Sequence, residues 1–94
     1  MQTNLIKLPG IGKKMVVMLN EIGIEEIADL KGKNPLDLYE ATCEKREERM
    51  DPCVLYTYRC AVYVAETEQD EQQPELCKWW NWKDKAHENE RKKY

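Results

Sequence analysis

Phenylalanine is missing from these 94 residues, and histidine occurs once. The absence of Phe does not starve a core. Five Tyr and three Trp supply large side chains, and apolar residues make up 41% of the chain. No apolar run reaches 18 residues, so no segment has the length of a membrane-spanning helix. The start, Met1-Gln2-Thr3-Asn4, carries no basic region and no long apolar stretch, so no secretory signal is expected. The chain reads as soluble and cytoplasmic. A Cys-x-x-Cys pair is also lacking. The cysteines at 43, 53, 60 and 77 match no common zinc spacing, and in a reducing compartment they read as core thiols. The lone His87 stands in a charged stretch without a related Ser or Cys, and Glu44–Arg49 is a mixed-charge helix end rather than a carboxylate pair. No catalytic residue, metal or cofactor is expected, and the chain reads as a non-enzyme.

Acidic residues are missing from the first twenty positions, which hold Lys7, Lys13 and Lys14. The rest of the chain carries 12 basic and 18 acidic residues, which brings the whole to −3. A generally basic nucleic-acid binder is excluded. Any anion site is local and near the N-terminus.

What is present is clear punctuation with helical spacing between the breaks. Six helices are expected in one domain over residues 1–84. The first covers 3–8 with Thr3 or Asn4 as cap, and the second covers 12–21 with Gly23 closing it. A short third covers 25–31. The fourth is capped by Asn34 with Pro35 at its first position, and Leu36, Leu38 and Tyr39 turn inward. The fifth is capped by Asp51, again followed by Pro. The sixth opens at Pro74 and carries Leu76, Trp79, Trp80 and Lys83 on one face. Eleven of the 14 residues from 52 to 65 are apolar and one, Arg59, is charged, so this helix is either central or part of a subunit interface. Arg59 is expected to pair with a carboxylate or a helix-end carbonyl. Glu66, Glu68, Asp70 and Glu71 form an acidic linker to the sixth helix. Residues 85–94, with His87, read as a charged flexible tail. The class is all-α.

The stretch with chemistry is Leu8-Pro9-Gly10-Ile11-Gly12-Lys13-Lys14. A short helix ends, the chain turns, and a new helix starts at Lys13. The first helical N–H groups have no partners inside the helix, and the helix dipole adds partial positive charge there. Glycines let a phosphate oxygen reach the backbone, Ile11 pins the turn to the core, and Lys13 and Lys14 add full charges. Leu30-Lys31-Gly32-Lys33-Asn34 can be laid over Leu8–Gly12 at a shift of 22, with Asn34 in place of the second glycine. Two tandem helical hairpins are expected, the second degenerate. A strand-borne dinucleotide fingerprint and a Walker loop are both excluded by the missing strand and the missing Gly-Lys-Ser/Thr.

Leu5, Leu8, Pro9, Gly10, Ile11, Gly12 and the lysines after them resemble the helix-hairpin-helix motif of DNA repair and recombination proteins. The motif usually has a small residue four after its second glycine. Val16 stands there in this chain and would push the two hairpin helices apart. More widely, Asp29–Tyr39, Asp51–Tyr56, Arg59–Tyr63 and Lys78–Asp84 resemble the small bacterial "pathogenicity locus" family over roughly residues 3–84. The layout is also similar to that of the C-terminal domain of the competence regulator TfoX. The resemblance implies a compact bacterial domain of five to six helices built on the hairpin, and implies little about activity.

Two functions from different classes follow. In the first, the protein binds duplex DNA weakly and without sequence preference through Gly10, Ile11, Gly12, Lys13 and Lys14, with secondary contacts from Lys7, Lys31, Lys33 and Trp82. Trp82 is expected to be the most exposed of the three Trp, while Trp79 and Trp80 cover the apolar fifth helix. In the second, the hairpin is only structural and the protein binds a protein partner or its own copy through the fifth helix or the Trp helix.

Overall fold

The computed structural model describes residues 4–91. Thr3, one of the two expected caps, lies outside them. The described residues form four α-helices joined by 3-10 turns and no strand: α1 (Lys13–Glu21), α2 (Pro35–Arg46), α3 (Pro52–Glu66) and α4 (Glu88–Arg91). The all-α expectation holds. The count of five to six helices does not, because three of the expected helices are 3-10 segments at Asn4–Lys7, Ile27–Leu30 and Pro74–Cys77 with Trp79–Trp82.

Local signals end and start the longer helices where the sequence places them. Past α1, the Ile24 N–H donates to the Leu19 carbonyl (2.9 Å) and the Gly23 N–H to that of Asn20 (3.2 Å). Gly23 adopts φ +91°, the left-handed turn that closes such a helix end. The Asn34 side chain accepts from the N–H groups of Leu36 (2.9 Å) and Asp37 (3.3 Å), and Pro35 fills the first helical position. Asp51 accepts from the Cys53 N–H (2.9 Å) and is likewise followed by Pro.

α3 is the central element. Val54, Thr57, Tyr58, Cys60, Ala61, Val62 and Ala65 are buried, and the residues between them from Cys53 to Val64 are half-buried. α2, the Ile27–Leu30 turn and both Trp-segment turns pack against it. Of the two fates open to an all-round apolar helix, burial within its own chain is the one observed. Where polar groups enter this core they are paired. Tyr58 Oη donates to Thr42 Oγ1 (2.8 Å), whose own hydroxyl donates to the Leu38 carbonyl (3.0 Å). All four cysteines are free thiols, but only Cys60 is buried; the other three are half-buried.

The sixth helix is replaced by two turns that break at Lys78, whose φ of −105° and ψ of 115° are extended. A continued α-helix would give the carbonyls of Glu75 and Leu76 to backbone N–H groups four residues on. Side chains take them instead. Asn81 Nδ2 donates to the Glu75 carbonyl (2.8 Å) and Trp82 Nε1 to that of Leu76 (2.9 Å).

Residues 85–91 are not a free tail. His87 is 3% exposed and stacks on Trp82 with ring centroids 5.7 Å apart. Arg59 donates from Nε and Nη2 to the two carboxylate oxygens of Glu90 (2.8 and 3.1 Å) and from Nη1 to the Trp82 carbonyl (2.9 Å). The carboxylate expected for Arg59 is therefore in the segment expected to be solvated, and the folded unit runs past Asp84 to α4.

Candidate nucleic-acid interface

The 22-residue shift seen in the sequence recurs in the backbone. Gly10 and Gly32 both adopt left-handed φ, +76° and +79°. The Ile11 N–H donates to the Leu8 carbonyl (3.2 Å), and the Lys33 N–H to the Leu30 carbonyl (3.1 Å). Each turn leads into a helix whose first internal bond closes at the same offset, Val16 to Gly12 (3.0 Å) and Leu38 to Asn34 (3.1 Å). Leu8 and Leu30 are both buried and anchor their turns from below. Asn4 Oδ1 accepts from the Ile27 N–H (2.8 Å) and ties the start of one unit to the start of the other.

The two turns differ in what their amides bind. At the second, the Gly32 N–H donates to Glu66 Oε2 (2.5 Å). That carboxylate also takes Asn89 Nδ2 (2.8 Å), and its other oxygen lies 3.8 Å from His87 Nε2. Asn34 then caps the helix start, and Asp37 sits in its first turn. At the first turn, Gly12 caps α1 with no side-chain bond and the first helical turn holds no acid. Among the described residues, none accepts from the N–H groups of Gly10, Gly12, Lys13 or Lys14. The first turn is thus an open set of amides at a dipole's positive end, whereas an internal carboxylate fills the second.

The expected site residues fall as follows. Gly10, Gly12, Lys13 and Lys14 are exposed and contiguous, and Ile11 points into the core at 6% exposure. Lys7 is exposed on the preceding turn. Lys31 and Lys33 are exposed beside the second turn, whose glycine amide is already occupied. Trp82 is withdrawn from the surface. It is 3% exposed, packed between Tyr63 and His87, and its exposure is the reverse of that expected.

The glycines also play different parts. A Cβ on Gly12 would meet nothing within 4 Å, so its backbone faces open space. A Cβ on Gly10 would lie 2.8 Å from Trp79 Cδ1. Gly10 is therefore required by its φ and by an indole laid against the turn. Sequence reasoning missed the contact between Trp79 and the hairpin, because 69 residues separate them and no local signal links the two.

A model of the family described as Cdd1, pathogenicity locus, matches residues 1–88. Among curated proteins, the chain is similar to the mitomycin resistance protein McrB of Streptomyces lavendulae, with 38% identity over 64 residues. The match covers 68% of this chain and 61% of that protein, so the chain spans less than two thirds of this relative's length. No solved structure matches the chain.

Proposed function

This chain belongs to the pathogenicity locus family, and we propose that its first turn is a helix-hairpin-helix that binds the phosphates of duplex DNA without sequence preference and without catalysis. The observation that carries this reading is the contrast between the two turns. The second turn holds a carboxylate on its glycine amide, and the corresponding amide of the first has no acceptor among the described residues and stands beside three exposed lysines. The same backbone shape that binds an anion inside the protein is left open outside it. Gly12 admits a phosphate oxygen to the amides of Lys13 and Lys14, and the two side chains add charge. Because the second turn is filled, one hairpin carries the binding, with about two phosphates neutralised. The log–log salt slope is then about −2, at about −0.9 per phosphate.

Changing Lys13 and Lys14 together to Glu tests this. Both side chains are exposed, so the fold should survive and duplex binding at about 50 mM salt, the low-salt regime where such contacts are measurable, should be lost. Absence of wild-type binding, or equal binding by the double variant, refutes it.

A second reading, a protein-interaction module with the hairpin as scaffold, draws on Ile6 and Val17. They are 47% and 50% exposed, on the Asn4–Lys7 segment and on α1. The homodimer through α3 loses its motive, since α3 is covered within the chain. A sedimentation mass that stays monomeric, together with salt-dependent DNA binding, favours the first reading.

A further inference from the structure

The Trp79–Trp80 pair connects the first turn to an exposed aromatic surface. Trp79 lies against Gly10, with Cδ1 2.8 Å from where a Cβ would stand. Trp80 meets Trp79 edge to face, with centroids 5.8 Å apart and planes at 86°. Trp80 is 56% exposed, while Trp79 is half-buried and Trp82 buried. The edge contact holds the Trp80 ring in place without covering it. Lys78 and Lys83 flank it and are exposed, and residues 78–85 hold three Lys against one Asp.

From this juxtaposition we infer that Trp80 is a stacking platform for an unpaired base of single-stranded DNA, whose backbone phosphate rests on the first-turn amides. The inference builds on the phosphate-binding reading above and narrows its ligand. A duplex base is already stacked on both faces and gains nothing from Trp80, whereas an unpaired base exchanges water for an indole face. The amides and lysines supply a sequence-independent phosphate contact, and the indole accepts any base. Single-stranded DNA therefore binds more tightly than duplex, and the difference resides in one side chain.

The test titrates labelled oligo(dT) and a duplex of equal length, at low salt, into the wild type, Trp80→Leu, Trp80→Tyr and the Lys13→Glu/Lys14→Glu variant. Oligo(dT) should bind the wild type more tightly than duplex and quench its tryptophan fluorescence. Trp80→Leu should lose about fivefold or more of the oligo(dT) affinity, the lower end of what one stacked base contributes, and keep its duplex affinity. Trp80→Tyr should retain most of the binding and lose most of the quenching, a readout that holds even if the Leu variant folds poorly. The lysine variant should lose both ligands. Lysine-dependent duplex binding with no effect of Trp80→Leu on oligo(dT) overturns the platform and leaves the phosphate reading standing. Oligo(dT) binding that needs Trp80 but not the lysines overturns the phosphate reading and, with it, the nucleotide placement inferred here. No binding of either DNA overturns both and leaves Trp80 as a protein contact.

Discussion

Changing Glu90 to Ala should destabilise the whole domain, although Glu90 lies near the chain's end in a run of charges. Its side chain is 7% exposed and that of Arg59 is 12% exposed. The carboxylate takes two guanidinium bonds and also the His87 N–H at 2.9 Å. Removing one partner of a buried pair costs about 3–5 kcal/mol, because the other charge is left without compensation. Arg59 would keep the Trp82 carbonyl and its place 5.9 Å over the Tyr56 ring, a contact of about 0.5–1 kcal/mol. Release of α4 would also admit water to the guanidinium. A net loss of about 2–3 kcal/mol follows from these offsets. At about 4–8 °C per kcal/mol for a domain of this size, the melting temperature should fall by about 10–20 °C. Thermal unfolding followed by circular dichroism measures it. Glu90→Gln, which keeps an acceptor, should fall less. Pairing Arg59→Met with Glu90→Ala should cost less than the sum of the two single changes. A chain ended after Asp84 should lose at least as much as Glu90→Ala. If Glu90→Ala and the shortened chain both melt with the wild type, α4 is not docked and the domain closes where the charge pattern alone would put it.

Two further outcomes are expected from thermal melts and thiol labelling. Gly10→Ala should destabilise by more than about 1–2 kcal/mol, the ordinary cost of a left-handed residue, because its Cβ also meets Trp79, while Gly12→Ala has room and should cost less; equal melts would show that Trp79 does not lie against the turn. Burial pushes the Cys60 thiol from its ordinary 9.0 up to about 12, so alkylation near pH 8 should be slowest there, and stability, complete below about pH 9, should fall as the pH rises from 9 toward 12; rapid labelling of Cys60 in the folded protein would contradict its burial.

The features legible in the sequence share one property: their causes lie within a few residues of their effects. Asn34-Pro35 and Asp51-Pro52 start helices because a side chain reaches the N–H two or three residues on and Pro needs no donor there. Gly23 ends α1 because the left-handed conformation suits it. The apolar run of α3 shows that the helix must be covered, and the 22-residue shift shows that the two turns share a backbone. The exposed candidate residues Gly10, Gly12, Lys13 and Lys14 were legible for the same reason, since a turn and a helix start are local structures.

The tertiary structure decided everything that depends on a partner distant in sequence. Trp82 and Trp80 are two residues apart with the same side chain, and their own neighbours do not tell which is buried. Trp82 goes inside because its indole N–H finds the Leu76 carbonyl and its ring lies between Tyr63 and His87. Those side-chain bonds to Glu75 and Leu76 also break a spacing that reads as one helix. Arg59 and Glu90 pair across 31 residues and turn a solvated-looking tail into part of the core's wall. Lys13 and Lys33 look alike in sequence, yet Glu66 reaches the second turn and, among the described residues, no carboxylate bonds to the amides of the first. Periodicity and caps select elements through short-range sterics and hydrogen bonds. Which element, amide or ring stays open to solvent depends on which side chains arrive from elsewhere in the chain, and that is set only when the elements pack.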